Sequence, residues 1–309
     1  MAKTAFVFPG QGAQAVGMGK DAYDAFESVR DIFQKADQAL GMELTSLIFE
    51  GPEEALKQTA NTQPALLTVS VAYLKLLEAS GLKADYVAGH SLGEYSALVA
   101  AGVLSFEDAV RTVRARGLYM EQAVPSGLGA MAAVLGAERD ALASLCEAIT
   151  ADGCAVELAN VNCPAQIVVS GTAQGVQAVA ERGKEAGAKR VIPLEVSGPF
   201  HSSLMKPAAE KLAAALADVA FTDAAVPVVA NVTAREVTDA SSIRELLVEQ
   251  VYSPVLWEDS VRYLIEQGVD TFVEIGSGTV LAGLIKKIDR GVRVISVNNI
   301  SALDALQVN

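Results

Sequence analysis

Tyr86-Val87-Ala88-Gly89-His90-Ser91-Leu92-Gly93-Glu94 is the stretch that decides how this chain folds. A short apolar run ends at Gly89, and an apolar helical pattern follows to Gly102. Between them Gly89, Ser91 and Gly93 stand at G-x-S-x-G spacing. In that setting a sharp strand-to-helix turn lifts the Ser91 hydroxyl above the edge of a sheet. Small flanking residues let so tight a backbone exist. The start of the helix supplies unpaired N–H groups and a positive dipole end, where a developing oxyanion is stabilised.

Working outward, apolar runs and helical periodicities alternate, as in a largely parallel sheet. Upstream, Thr4–Pro9 predicts a strand ending in the turn Pro9-Gly10-Gln11-Gly12, whose backbone N–H groups are candidates for the second half of an oxyanion hole. Asp21–Leu40 predicts one amphipathic helix. Another is expected to start at Pro64, a residue favoured at the first helical position, and to be buried because it is apolar nearly all round to Leu77. Downstream, Ser105 to Asp108 is a capping-box-like start for a helix to about Gln122.

The order then changes. Strand Ala130–Leu135, helix Arg139–Ile149, strands Val156–Val161 and Gln166–Ser170, helix Val176–Ala186 and strand Arg190–Leu194 give β-α-β-β-α-β, a ferredoxin-like motif. The earlier pattern resumes with helix Ser203–Leu216, strand Val226–Val232, helices Ser242–Gln250 and Glu258–Gln267, and strands Thr271–Ile275 and Val292–Val297. The expected fold is α/β: a doubly wound, mostly parallel, hydrolase-like sheet with an inserted ferredoxin-like subdomain. Residues 1–124 and 196–309 would form the large domain and residues 125–195 the small one.

The net charge of −13 argues against nucleic acid, which requires a basic face, and against electrostatic anchoring on an anionic membrane. No stretch approaches the roughly 20 apolar residues that span a bilayer. Met1-Ala2-Lys3-Thr4 leads into the first strand with no apolar leader or cleavage site. Cys146, Cys154 and Cys163 are odd in number and form no C-x-x-C pair, so neither a disulfide framework nor a metal site is expected. The expected compartment is the cytoplasm.

A nucleophilic serine needs a base, and the chain holds two histidines. His90 adjoins Ser91, but side chains of neighbours on a sharp turn diverge, which makes it the weaker candidate. His201, in Ser197-Gly198-Pro199-Phe200-His201, falls at a domain junction and is the candidate by elimination, against the alternative of an ordinary core or surface histidine. Gly12 and Gly17 have Walker spacing, yet Met18 stands where lysine is required, so nucleotide binding fails. Arg116 shares a helical face with Phe106, Ala109, Val110, Val113 and Met120, whereas Arg111 and Arg114 point away. A guanidinium on a buried stripe must meet an anion, either a ligand or a structural salt-bridge partner. Glu94, in the first turn of its helix, is accounted for by the helix dipole.

Phe8-Pro9-Gly10-Gln11-Gly12, Thr62-Gln63-Pro64-Ala65, Gly89-His90-Ser91-Leu92-Gly93-Glu94 and Gly198-Pro199-Phe200-His201 together resemble the malonyl-CoA:acyl carrier protein transacylase family over essentially the whole chain. The resemblance implies ping-pong transfer of malonyl from coenzyme A to the phosphopantetheine thiol of acyl carrier protein, with no cofactor. It implies Ser91 as acyl carrier, His201 as base and then acid, and the N–H groups of Gln11 and Leu92 as oxyanion hole. It further implies Arg116 as partner of the malonyl carboxylate, a backbone carbonyl near Gln250 orienting His201, and Phe200 as the malonyl-selective residue. Lys189-Arg190 and Lys286-Lys287 are candidate contacts for an acidic carrier protein by clustering. One rival is a serine hydrolase or thioesterase, although its triad order places histidine late in the fold and more than one hundred residues follow His201 here. The other is a non-catalytic carrier-protein-binding module, against which intact Ser91, His201 and Arg116 argue.

Overall fold

The computed structural model describes residues 3–307; Met1 and Ala2, on which the reading of the leader partly rests, lie outside them. Among the described residues ten strands form two sheets: β1 (Lys3–Phe8), β2 (Tyr86–Gly89), β3 (Gly129–Leu135), β4 (Val156–Cys163), β5 (Gln166–Thr172), β6 (Arg190–Pro193), β7 (Val228–Val229), β8 (Glu236–Val237), β9 (Val269–Ile275) and β10 (Arg293–Val297). The larger sheet has the order β10-β9-β1-β2-β7-β8 and is parallel except for β8. The smaller has the order β4-β5-β3-β6 and is wholly antiparallel. With helices Arg139–Ala151 and Ala173–Arg182 in their places, that is the ferredoxin-like arrangement expected from element order.

Period-two alternation explains how the small sheet is used on both faces. Ile167 and Val169 of β5 pack with Leu142, Cys146 and Val179 under its two helices. Val168, between them, and Met131 of β3 join the main core instead. The opposite face of the small sheet therefore closes over the large unit. Backbone bonds from Val161 N–H to Val255 O (2.9 Å) and from Val255 N–H to Ala159 O (2.8 Å) tie β4 to the segment after Gln250.

Helix Thr59–Ala79 is the buried centre of the main core, as its apolar composition predicts. It starts five residues before Pro64, so that proline sits inside it rather than at its first position. Asn61 Nδ2 and Thr62 Oγ1 donate to Ala55 O and Leu56 O, which anchors the early turn that Pro64 cannot itself begin. The single helix expected over Asp21–Leu40 is two, Lys20–Ala25 and Glu27–Leu40, broken at an extended Phe26. Arg30 Nη1 reaches back to Tyr23 O and Asp24 O and satisfies carbonyls left free by the break. The strand expected over Val226–Val232 shrinks to β7. Helices Leu44–Glu50, Val280–Ile288 and Ile300–Gln307 carried no expectation. No helix among the described residues is long and apolar enough to cross a membrane.

β1, β2 and β7 are parallel neighbours, so the segments that follow them emerge together at one sheet edge. Those segments carry Gln11, Ser91 and Asn231.

Candidate active site

The turn after β2 is held by close backbone approach. A side chain at Gly89 would strike the backbone of Gly93, and one at Gly93 would strike Phe8 O, so both positions exclude a Cβ. Ser91 takes a left-handed conformation, φ 51°, uncommon outside glycine. Asn231 pins this strained elbow from the segment after β7: its Oδ1 accepts from Ser91 N–H at 2.7 Å, and its Nδ2 donates to Gly89 O at 2.6 Å.

Ser91 Oγ lies 2.7 Å from His201 Nε2, and His201 Nδ1 lies 2.8 Å from the backbone oxygen of Gln250. A carbonyl only accepts, so Nδ1 carries the proton and Nε2 is left as the acceptor for the Ser91 hydroxyl. Burial, with the Arg116 charge beside it, pushes His201 down to about 3. The imidazole is thus neutral and ready to take a proton. His90, by contrast, is held by Asn162 Oδ1 at 2.8 Å from its Nε2 and lies against Trp257, ring centroids 5.7 Å apart. Burial lowers its pKa as well.

Among the described residues the backbone N–H groups of Gln11 and Leu92 have no hydrogen-bond partner, and both residues line the cavity in front of Ser91. They can therefore receive an oxyanion. The cavity has a volume of about 110 Å³ and is also walled by Gln63, Met131, Leu194 and Phe200.

Arg116 is 1% exposed, on the face that helical phase assigns it. Its fork donates from Nη1 to Gln63 Oε1 and from Nη2 to Gln250 Oε1, both at 2.8 Å, and from Nη2 to Ser91 Oγ at 3.2 Å. Among the described residues no carboxylate forms an ion pair with it, and its buried Nε has no partner. The structural salt bridge left open by phase is absent there. A permanent cation that touches the serine oxygen and only neutral acceptors can hold an anionic group of a bound molecule.

Gln11, Ser91, Leu92, Arg116, Phe200 and His201 thus share one cavity, with Gln250 directly behind it. Lys189-Arg190 and Lys286-Lys287 lie outside its walls; Lys286 Nζ donates to Val292 O at 2.5 Å and Lys287 Nζ to Gln166 Oε1 at 3.0 Å. Sequence reasoning missed Gln63, Asn231 and the burial of Glu94. Gln63 has a visible signal, a polar residue immediately before the long apolar run that begins at Pro64. Asn231, just past an apolar strand, has a weaker one.

The acyl transferase domain family matches this chain over residues 5–302. The malonyl CoA-acyl carrier protein transacylase of Bacillus subtilis (strain 168) is 56% identical over 299 residues, 97% of this chain and 94% of that protein. The protein of the same name from Staphylococcus aureus (strain MRSA252) is 50% identical over 300 residues, 97% of each. An acyl carrier protein S-malonyltransferase from Vibrio cholerae O1 biovar eltor has a similar crystal structure, with a TM-score of 0.96, 45% identity and coverage of 99% and 100% of the two chains. A malonyl-transacylase solved in complex with a type II PKS acyl-carrier protein is likewise similar, with a TM-score of 0.96, 44% identity and full coverage of both chains.

Proposed function

The chain belongs to the malonyl-CoA:acyl carrier protein transacylase family of acyl transferases, and from that membership we propose that it moves malonyl from coenzyme A to the phosphopantetheine thiol of acyl carrier protein through an ester on Ser91. The observation that carries this reading is the joint placement of Ser91 between His201 Nε2 and Arg116 Nη2.

The mechanism follows from the groups present. Ser91 Oγ attacks the thioester carbonyl as its proton passes to His201 Nε2. The carbonyl oxygen becomes an oxyanion facing the N–H groups of Gln11 and Leu92. Collapse breaks the carbon–sulfur bond, and the coenzyme A sulfur leaves with the proton from His201. The carrier-protein thiol then gives its proton to His201 and attacks the ester carbonyl, and collapse breaks the bond to Ser91 Oγ, which takes that proton back from His201 as the hydroxyl is restored. Gln250 O holds the Nδ1 proton throughout, the task a carboxylate performs in a Ser-His-Asp triad. Arg116 pairs with the malonyl carboxylate, and Phe200 narrows the cavity around it. In this reading residues 1–124 and 196–309 supply the reacting groups, while residues 125–195 wall the cavity with Met131, Asn160 and Leu194. No cofactor is needed, because the thioester is the activated substrate. Its acceptor chemistry and three free cysteines suit the cytoplasm.

His201→Ala is expected to depress acylation by about 10²- to 10⁴-fold, the usual worth of a general base. His90→Ala should cost no more than about tenfold, since its ring is committed to Asn162 and Trp257. Rates of coenzyme A release from the two folded variants check this, and the reverse ranking would make His90 the base.

The acid limb gives a second check. The neutral form of His201 is the base, so a lowered pKa extends activity toward acid. The kcat/KM for malonyl-CoA should show no loss as pH falls from about 7.5 to 5.5. A loss centred on the ordinary histidine value of 6.5 would contradict the buried, neutral base.

A further inference from the structure

Glu94 is 2% exposed, and the mechanism above leaves it without a task. The helix dipole favours a negative charge at its position but does not account for burial. One oxygen, Oε2, accepts from Gln250 Nε2 at 2.8 Å and from Asn231 N–H at 3.0 Å. The other end of the same amide, Gln250 Oε1, accepts from Arg116 Nη2. A carboxylate only accepts and a guanidinium only donates, so the two ions fix which way the Gln250 amide points. A buried guanidinium needs compensating negative charge. In this network Glu94, one amide away, supplies it.

We propose that Glu94 sets acyl specificity: it is the resident counter-charge of Arg116, acting through Gln250, and it competes with the substrate carboxylate for that guanidinium. The proposal rests on the assignment of Arg116 to the malonyl carboxylate. Gln250 is then a coupling element as well as the support of His201, because its side chain carries charge balance while its backbone oxygen orients the base. Burial pushes the Glu94 carboxyl up to about 7, against the Gln250 amide, the Asn231 N–H and Arg116, which favour the ion. An arriving second carboxylate therefore finds Glu94 able to discharge by taking a proton. The other charged or titratable groups around it are Arg116 on the facing helix, Tyr95 on its own helix and His201 beyond Gln250.

Glu94→Gln tests this, because a single amide oxygen can accept both bonds now made to Oε2 and only the charge is lost. Malonyl-CoA and acetyl-CoA are titrated into Ser91→Ala, which cannot be acylated at that position, and into Ser91→Ala/Glu94→Gln. The double variant should bind malonyl-CoA about three- to tenfold more tightly and acetyl-CoA unchanged. Equal shifts for both ligands, or none, would reduce Glu94 to a structural prop and overturn the proposal. If the double variant does not fold, the same ligands titrated into Ser91→Ala decide. Their affinity ratio should move against malonyl-CoA as pH rises from about 6 to 8 and Glu94 ionises, the coenzyme A phosphates being common to both. A flat ratio overturns the proposal. Should Ser91→Ala bind both ligands alike, the assignment of Arg116 itself fails, and that of Glu94 with it. A malonyl preference untouched by Glu94→Gln removes only Glu94.

Discussion

Ser91→Ala is expected to fold normally and to lose malonyl transfer by several orders of magnitude. Its backbone bond to Asn231 involves the N–H, which alanine keeps, and alanine meets the same left-handed strain at φ 51°. What disappears is the oxygen shared by His201 Nε2 and Arg116 Nη2. Removing the serine of a nucleophile–base pair costs about 10⁶-fold in kcat in a serine protease, which leaves only binding and oxyanion stabilisation. Circular dichroism and a thermal melt establish that the variant folds, and a transfer assay with holo carrier protein measures the loss. Transfer within about tenfold of the parent would rule out a covalent route through Ser91.

The next largest effect is expected at Arg116. Arg116→Ala leaves the substrate carboxylate in a desolvated cavity with no cation to meet it. Truncating one member of a buried charge pair costs roughly 2–5 kcal/mol, or about 30- to several-thousand-fold. That loss should fall on kcat/KM for malonyl-CoA, while acetyl-CoA, which has no carboxylate, stays level or improves. Arg116 also braces Gln63 and Gln250, so some thermal stability will be lost; the ratio between the two substrates separates the roles. Equal losses for malonyl and acetyl would leave Arg116 as scaffold. Lysine is a poor replacement, because one ammonium cannot reach Gln63, Gln250 and a carboxylate with fork geometry.

How much of this was legible in the sequence differs from residue to residue. The turn at Ser91 was, because its glycines and the strand and helix around it are local constraints written within nine residues. So was the burial of Arg116, since helical phase alone puts it on the apolar stripe. The ferredoxin-like order could be read because short apolar runs and helical periodicities succeed one another through residues 130–194, each a local signal. Phe26 was not legible: no glycine or proline marks the break, and the carbonyls it frees are satisfied by Arg30. Pro64 misled, because its preference for the first turn is weaker than the side-chain bonds that start the helix at Thr59. Glu94 and Asn231 were illegible for a different reason. Asn231 braces Ser91 from 140 positions away, and Gln250 meets Glu94 across 156. A polar residue whose partner is that remote looks, along the chain, like a cap or a surface position. Glu94 even stood at a helix start, where the dipole offered a sufficient explanation.

The central claim is that malonyl rests on Ser91 between its two thiols. Incubating the intact protein with malonyl-CoA, without carrier protein, and recording its mass tests this most directly. The expected spectrum shows one malonyl adduct, mapped to the Ser91 peptide, missing in Ser91→Ala and discharged when holo carrier protein is added. Malonyl transfer at full rate with no adduct at any time, or an adduct that Ser91→Ala retains, would contradict it.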